Sequence, residues 1–434
     1  MTSMVASDDA CILDNSTNQD VSNDFGITPS SCTRLHVFAR KPRQLVKPPP
    51  SAIRLLSWSK TKAKDDSQFF QNQAVPRGVS QFSSSLAPKP KQPALKKKVH
   101  VNSKLGSRVT YDAALAAFTR DKASMCQTHV IDPLSIQVGI ACTQGTRAYM
   151  EDRHVVNQLF ENVALVAVFD GHNGAWAAEF ASTRLSALLT TNDQLKSYGS
   201  ERPIPPDAIE SIYTILKTAF LQLDREILSY TVEHGRRDGA TVALVLVFSD
   251  FVFAANVGDS RVVLVRRQHP SLHTNAATYV VERLSIDHKP HVAAEKARIV
   301  NAGGNVVFSG CWRVTHPKST LRLAVSRSLG DHQLKNVPSS SPLNTPLALV
   351  SAVPHIRHFA RSGGDILVIA SDGLWDRVTD GDTMHQIVAD LDESFQHDLN
   401  PPPEHFVTQS AAALVELALT RRTADNVTVA VVAL

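Results

Sequence analysis

Two apolar segments of the chain each end in Asp-Gly. Residues 163–174 read VALVAVFDGHNG and residues 366–374 read ILVIASDGL, so Asp170 and Asp372 each follow a run that is typical of a buried strand. For one acid alone, a turn or a helix cap explains the residue equally well, because Asp-Gly is common in turns. The repetition of the pattern is what indicates a site.

Five further acids stand beside strand-like segments: Glu151, Asp152, Asp259, Asp376 and Asp425. Carboxylates within about 4 Å of one another repel by roughly 4 kcal/mol per pair at an effective dielectric constant near 20. A cluster of them therefore takes up protons or binds cations. All-oxygen sites favour Mg²⁺ or Mn²⁺, whereas Zn²⁺ prefers Cys or His ligands. If the strand ends meet at one rim of the fold, the set predicts a divalent metal site.

The residues next to these acids suit the hydrolysis of a phosphate ester. A pair of metal ions held by carboxylates lowers the pKa of a bridging water and holds the hydroxide for attack. Gly171 permits a sharp turn and exposes its carbonyl oxygen as a further hard ligand. Arg147 is the candidate for binding phosphate oxygens, and His172 is the candidate for protonating the leaving alkoxide. A lone arginine is more often a surface charge and a lone histidine more often structural, but closeness to the acids favours the functional interpretation.

Composition argues against several classes of protein. The 434 residues are 43% hydrophobic and 20% charged, with a formal net charge of +4, which is typical of a soluble globular protein and too mild to indicate a nucleic-acid partner. Five scattered cysteines without a C-x-x-C pair fit a reducing compartment. The first residues have neither a basic nor an apolar segment, so we expect no secretory signal, and the longest apolar stretch, residues 241–257, is short for a membrane span. We expect a soluble monomer in the cytoplasm, the nucleus or both, without a membrane partner.

The chain divides into two parts of different character. Residues 1–135 contain Pro-, Ser- and Lys-rich stretches without a sustained helical or strand period, and we predict a largely disordered N-terminal arm. Its basic run at residues 88–98 is either a nuclear-import or acidic-surface signal or a solvated charge cluster. Residues 136–434 alternate between strand-like and helical patterns and form the predicted catalytic domain.

The order of these patterns predicts the fold class. Consecutive strands are often joined by short turns, such as Ser249-Asp250, which indicates mainly antiparallel sheets. The strands are apolar almost throughout, so both faces of each sheet must be covered. Helical patterns lie between the strand groups, with Asp207 and Asp380 at expected N-caps and Gly303 at an expected helix end. The prediction is an α/β (α+β) protein, a four-layer αββα sandwich of two mainly antiparallel sheets flanked by helices.

Eight short motifs, in this order along the chain, resemble those of one known family. They are RAYMED (147–152), FDGHNG (169–174), ANVGDSR (255–261), IDHKP (286–290), EKARIVNAGG (295–304), LAVSRSLGD (323–331), ASDGLWD (370–376) and ADNVTV (424–429). Together they are similar to the motifs of the PPM-type (type 2C) metal-dependent serine/threonine protein phosphatases. The resemblance covers about residues 136–434, and it implies the sandwich fold, phosphoprotein substrates and a pair of Mg²⁺ or Mn²⁺ ions.

The resemblance also implies which residues hold the ions. Asp170 would bridge both ions, and Gly171 would offer its carbonyl oxygen to one of them. Asp372 and Asp425 would hold the other ion, with Glu151 alongside, directly or through water.

The remaining candidates take other roles under the same resemblance. Asp152 would orient metal-bound water, and Asp259 and Asp376 match the acids that bind a weaker third ion in some relatives. Arg147 matches the phosphate-binding arginine, and His172 matches the proposed general acid. Hydrolysis would then proceed without a covalent enzyme intermediate.

The sequence departs from the family pattern at places that bear on substrate choice more than on catalysis. Asn173 stands where the family usually has a glycine after DGH. The flap segment, residues 305–322, contains a long THPKST stretch, and SSSPLNTP at residues 339–346 resembles an inserted loop. Trp312 is not at the position of the tryptophan in plant members that bind hormone receptors, so no such regulation is inferred.

Two other functions are compatible with parts of the pattern. A non-catalytic relative that binds phosphoproteins as a scaffold would show degenerate metal ligands, and none is degenerate here. Another two-metal phosphoesterase, such as a nuclease, would be expected to show an aromatic and basic groove pattern, which the sequence lacks. The sequence therefore favours an active protein serine/threonine phosphatase.

Overall fold

The structure is a computed structural model of the chain. It describes residues 109–201, 203–268, 278–335, 348–395 and 405–434. The basic run at residues 88–98, most of the predicted N-terminal arm and the inserted loop at residues 339–346 lie outside the described residues.

The described ranges contain fourteen strands, several of which fall where apolar segments of the sequence place them. They are β1 (Cys126–Ile131), β2 (Ile136–Thr143), β3 (Arg153–Phe160), β4 (Val163–His172), β5 (Gly239–Val247), β6 (Phe251–Val257), β7 (Arg261–Gln268), β8 (Thr278–Arg283), β9 (Asn305–Ser309), β10 (Cys311–Thr315), β11 (Leu329–Gly330), β12 (His355–Ala360), β13 (Ile366–Ala370) and β14 (Val427–Ala433).

The described helices range from one turn to seven. They are α1 (Tyr111–Met125), α2 (Trp176–Thr190), α3 (Asp193–Tyr198), α4 (Ala208–Glu233), α5 (Ala293–Asn301), α6 (His332–Lys335), α7 (Asp372–Trp375), α8 (Asp380–Phe395) and α9 (His405–Thr420). Across the described ranges, no helix is both long enough and apolar enough to span a membrane.

Two antiparallel sheets form the centre of the fold. The first sheet has the strand order β1-β2-β14-β13-β7-β8, and the second has the order β12-β6-β5-β4-β3 with β11 paired to β5. Short turns join several neighbours, including the predicted one at Ser249-Asp250, where the amide of Phe248 donates to the carbonyl of Phe251 at 2.8 Å. The strands β9 and β10 form a separate hairpin in the flap segment.

Helices cover the outer face of each sheet. The alternation of side chains along β4 shows how: Val166 and Val168 pack between the two sheets, whereas Leu165 and Phe169 pack against α2 and α4. Residues of α1, α8 and α9 pack in the same way against the outer face of the first sheet. Both faces of each central strand are buried, which explains their nearly continuous apolar sequence. The predicted four-layer α/β sandwich is confirmed.

The predicted boundary at residue 136 is too late in the chain. Residues 109–135, which we assigned to the disordered arm, contain α1 and β1. The hydroxyl of Thr110 caps α1 by accepting from the amide of Ala113 at 3.2 Å, and Phe118 is fully buried among residues of the first sheet and α9. The strand β1 pairs along its whole length with β2. These residues are therefore a part of the folded domain.

Helix ends differ from the predictions in detail. Asp207 stands at the N-cap of α4, but its side chain makes no cap hydrogen bond. Asp380 is the first residue of α8 and not its cap, because Thr379 and Asp382 form a reciprocal capping box with bonds of 3.1 and 3.0 Å. Gly303 follows α5 with a φ of +86°, as its predicted role at a helix end requires.

Candidate metal centre and active site

Antiparallel register brings the acidic residues to one end of the sandwich. In the first sheet, the last residue of β13, Ala370, pairs with Arg261 at the start of β7 and with Val429 near the start of β14. Consequently Asp372, which follows β13, lies near the turn before β7 and the loop before β14. In the second sheet, Arg153 at the start of β3 pairs with Phe169 near the end of β4, which places Glu151 and Asp152 beside the Asp-Gly of β4.

Three of the acids form a tight cluster at this rim. Asp170, Asp259 and Asp372 each offer a carboxylate oxygen, and these oxygens lie within 4.8 Å of one another. They come from β4, from the turn between β6 and β7, and from the first residue of α7. An all-oxygen donor set of this size fits a hard divalent cation such as Mg²⁺ or Mn²⁺.

The protein alone does not neutralise the charge of this cluster. Burial raises the pKa of Asp170 well above its usual value, and the carboxylate of Asp372 raises it further. Burial likewise raises the pKa of Asp372, and the neighbouring acids, Asp259 first, add to the shift. Repulsion among buried carboxylates favours proton uptake or cation binding. Such a cluster persists in a folded protein where a cation offsets the repulsion.

Asp152 is almost fully buried and lies close enough to the cluster for its charge to raise the pKa of Asp170. Its Oδ2 accepts hydrogen bonds from the hydroxyls of Ser371 and Thr428 at 2.8 and 2.9 Å. Burial raises the pKa of Asp152 to about 7, and the two hydroxyl donors oppose that shift. Both bonds fall on the same oxygen, so Oδ1 is left to accept from a water in the site.

Glycine is required at position 171 by a close approach of two segments. A Cβ atom at Gly171 would lie 2.5 Å from the carbonyl oxygen of Glu151.

The backbone of Glu151 is held by Asn426, whose side-chain oxygen accepts from the Glu151 amide at 2.7 Å. The same Asn426 amide donates to the carbonyls of Gln144 and Tyr149 at 2.9 and 3.0 Å. Sequence reasoning missed this clamp, although Asn426 lies within the ADNVTV motif.

Asp425 and Arg147 meet at the edge of the site. The guanidinium of Arg147 forms an ion pair with the carboxylate of Asp425, and both side chains are partly exposed. Asp425 also raises the pKa of Asp152, Asp170 and Asp372 through its charge. The structure thus brings the predicted phosphate-binding arginine to the rim that the acids occupy.

The two acids matched to a third ion have different surroundings. Asp259 is buried and forms an ion pair with the ammonium group of Lys289, whereas Asp376 is exposed at the end of α7. Burial lowers the pKa of Lys289, but Asp259 outweighs this and raises it, with smaller contributions from Asp372 and Asp376. Lys289 belongs to the IDHKP motif, but no local pattern in the sequence indicates its contact with Asp259.

His172 contacts a partner that sequence reasoning did not identify. Its Nε2 lies 2.9 and 3.0 Å from the two carboxylate oxygens of Asp331, the last residue of the LAVSRSLGD motif. Burial alone lowers the pKa of His172, but the Asp331 carboxylate outweighs it and raises the pKa above its usual value.

The next residue, Asn173, has a φ of +57°. Asparagine tolerates this left-handed region better than most residues, which explains how it replaces the usual glycine.

A four-layer sandwich of antiparallel sheets with a carboxylate site for hard divalent cations at its rim defines a metal-dependent hydrolase. The chain belongs to the protein phosphatase 2C family, whose model matches residues 136–427. It is a protein serine/threonine phosphatase, and its family depends on Mg²⁺ or Mn²⁺.

Individual relatives agree with this assignment. Protein phosphatase 1L of Bos taurus is 33% identical over 303 residues, which are 69% of this chain and 72% of the relative. Probable protein phosphatase 2C 59 of Oryza sativa subsp. japonica is 34% identical over 298 residues, which are 68% of this chain and 74% of that protein. The crystal structure of serine-threonine phosphatase 2C from Toxoplasma gondii has a TM-score of 0.56 at 21% identity and covers 71% of this chain and 98% of that chain. At that identity the structural likeness shows the fold alone.

Proposed function

We propose that this chain hydrolyses phosphoserine and phosphothreonine in proteins by direct attack of a hydroxide, using two Mg²⁺ or Mn²⁺ ions. The observation that supports this most strongly is the approach of Asp170, Asp259 and Asp372 to within 4.8 Å. Three buried or half-buried acids without enough protein cations around them need divalent ions to stay ionised at neutral pH.

The proposed ligands come from both sheets. Asp170 would hold both ions, with the carbonyl of Gly171 on one of them. Asp372 and Asp425 would hold the other ion, with Glu151 alongside them, directly or through water. When bound, the ions supply the attacking hydroxide by lowering the pKa of a water between them. The protein's own contribution is to hold these oxygens together against their mutual repulsion, through the sheet register and the Asn426 clamp.

Three other side chains act on the water and the substrate. The free Oδ1 of Asp152 accepts a hydrogen bond from the attacking water and so orients it. Arg147 would give up its ion pair with Asp425 where Asp425 holds an ion, and its guanidinium would hold two phosphoryl oxygens. His172 donates a proton to the serine or threonine oxygen as it leaves. No covalent intermediate on the enzyme is needed.

A third, weaker ion is proposed at Asp259 and Asp376. In the structure the ammonium group of Lys289 already pairs with Asp259, so an ion at this position has to displace a cation that the chain itself supplies. This competition accounts for the weaker binding that we expect there.

The proposed setting of the enzyme follows from its composition. Cys126, Cys142 and Cys311 are free thiols in the described part of the chain, which supports the proposal of a reducing compartment, cytoplasm or nucleus. We propose that the enzyme acts as a monomer on phosphoprotein substrates.

Metal-dependent release of phosphate from a phosphoserine peptide tests this function. We expect turnover of the full chain in Mn²⁺ or Mg²⁺, complete loss in EDTA, and recovery when excess metal is returned. Single-stranded DNA should not be cleaved under the same conditions. Arg147→Ala should lower kcat/KM by about 10²-fold, the usual effect of removing one preorganised donor from a charged transition state.

A matched control comes from another half-exposed, ion-paired arginine. Arg357 on β12, an edge strand of the second sheet, pairs with Glu282 on β8, an edge strand of the first sheet. Arg357→Ala should leave kcat/KM unchanged. Turnover that resists EDTA, or equal activity of the two arginine variants, would contradict the proposed function.

A further inference from the structure

We propose that Asp331 is a positioning residue for His172, which it holds with Nε2–H toward itself so that Nδ1 delivers the proton to the leaving group. This inference rests on the proposed function, in which His172 is the proton donor. It assigns a role to a residue that the catalytic scheme above does not use.

The contact between the two side chains fixes the tautomer of the ring. Both oxygens of Asp331 lie at hydrogen-bond distance from Nε2 of His172, at 2.9 and 3.0 Å. An ionised carboxylate only accepts hydrogen bonds, so Nε2 must carry a hydrogen. Nδ1 of His172 has no hydrogen-bond partner among the described residues. It is therefore the nitrogen that remains to reach a substrate oxygen.

Asp331 is held in place by its own surroundings. Its side chain is fully buried, its Oδ2 accepts from the Ser328 hydroxyl at 2.5 Å, and its amide donates to the carbonyl of Asp238 at 3.2 Å. Its φ of +57° lies in the left-handed region, which aspartate tolerates better than most residues with a Cβ. A fully buried carboxylate that is held from both its side chain and its backbone and faces a histidine is suited to a positioning role.

A buried ion pair fixes the loop that carries Asp331. Asp224 on α4 accepts from the amide of Gly330 at 2.8 Å and pairs with the ammonium group of Lys335 on α6. Lys335 also donates to the carbonyl of Ser328 at 2.6 Å. These contacts lie on both sides of Asp331 in sequence. They connect the loop to a long helix and so anchor the backbone on either side of Asp331.

The neighbouring strand leaves just enough space for this contact. A Cβ atom at Gly239, the first residue of β5, would lie 2.3 Å both from Nε2 of His172 and from Oδ2 of Asp331. The φ of Gly239 is not in the left-handed region, so alanine can adopt the same backbone conformation, and only its methyl group meets the two side chains. Gly239→Ala therefore separates the two groups while keeping both of them.

The proton transfer that this geometry supports is balanced. As the P–O bond breaks, its electron pair stays on the serine oxygen, which takes the proton from Nδ1 of His172. The imidazole is left neutral with its remaining hydrogen on Nε2, still donated to Asp331. An alkoxide leaving group needs this proton, whereas a nitrophenolate is stable without it.

A comparison of two substrates tests the proposal. Asp331→Asn should lower kcat for a phosphoserine peptide by about 10²-fold or more, because an amide facing Nε2 admits the wrong tautomer. The same variant should lower kcat for p-nitrophenyl phosphate by less than about threefold. Gly239→Ala should show the same selective loss, which keeps the test available if the buried Asp331→Asn fails to fold. His172→Asn, measured alongside, should show at least as large a selective loss.

Asp365→Asn is the matched control. Asp365 is another buried, paired carboxylate, bonded to Arg266 at the opposite end of β13. Its replacement should change kcat for the two substrates by the same factor. The positioning role is overturned if His172→Asn lowers kcat selectively for the peptide, while Asp331→Asn and Gly239→Ala lower kcat equally for both substrates or for neither. In that case the proposed function stands. If His172→Asn itself lowers kcat for both substrates equally, His172 is not the proton donor, and that part of the proposed function falls together with the positioning role.

Discussion

Asp170→Asn is expected to lower the turnover of a phosphoserine peptide by about 10³-fold or more without unfolding the protein. Asparagine keeps the shape of the side chain on β4 but removes the charge that the two proposed ions share. The measurement is kcat at saturating Mn²⁺, accompanied by circular dichroism to show that the fold is intact.

The same variant should be more stable than the wild type when no metal is present. Removing one of several mutually repelling carboxylates relieves the interactions that raise the pKa of Asp170. A thermal melt in EDTA should therefore give a higher Tm for Asp170→Asn. Asp250→Asn is the control: Asp250 lies in the turn between β5 and β6, where its carboxylate accepts from the amide of Ile204 at 3.1 Å. It should leave kcat unchanged. Wild-type turnover in Asp170→Asn would refute the account.

Metal-free Asp152→Asn is expected to be more stable than the metal-free wild type at pH 8, and the difference should shrink steadily as the pH falls to 5. Burial raises the pKa of Asp152 to about 7, against about 3.9 for an unfolded chain. Between these values the folded state binds more protons than the unfolded state, so the free energy of unfolding of the wild type falls as the pH rises. At pH 8 the buried charge costs about 2 to 4 kcal/mol. At pH 5, about one unit above the unfolded pKa, only about 1 to 2 kcal/mol of this cost remains.

Other titrating groups cancel in this comparison. Burial lowers the pKa of His288 to about 3, which destabilises the fold in acid, but it does so equally in both proteins. The measurement is a set of urea unfolding curves of both proteins in EDTA between pH 5 and pH 8. A difference in unfolding free energy that stays constant over this range would contradict the assignment of a raised pKa to Asp152.

The sequence was sufficient to predict where the acids meet because the relevant rule is local. An acid that directly follows or precedes an apolar strand lies at the end of that strand, and antiparallel pairing puts the end of one strand beside the start of the next. Asp372 after β13 and Asp425 before β14 follow this rule through the pair Ala370 and Val429. The four-layer arrangement follows similarly from strands that are apolar on both faces.

The residues that sequence reasoning missed act through contacts that no local pattern encodes. Asp331 lies 159 positions from His172 and Asn426 lies 275 positions from Glu151, and each contact depends on how segments distant in sequence fold together at the rim. Lys289 also reads as an ordinary surface lysine until the fold places it beside Asp259. In these cases the motif is visible in the sequence, but the partner is not.

The start of the domain was missed for a different reason. The buried residues of α1 are only Ala114 and Phe118, and β1 is an edge strand with mostly exposed or half-exposed residues. Neither element shows the long apolar period that identifies a helix or a buried strand. Their stability comes from tertiary packing against β2 and α9, which a reading of local patterns cannot detect.

The most direct test of the central claim is an anomalous difference map from crystals of the protein grown with Mn²⁺. The account predicts two strong peaks at the rim, both about 2–2.5 Å from the carboxylate oxygens of Asp170, with Asp372 and Asp425 around one of them. A map with no peak at this rim, or with manganese bound away from Asp170, would contradict it.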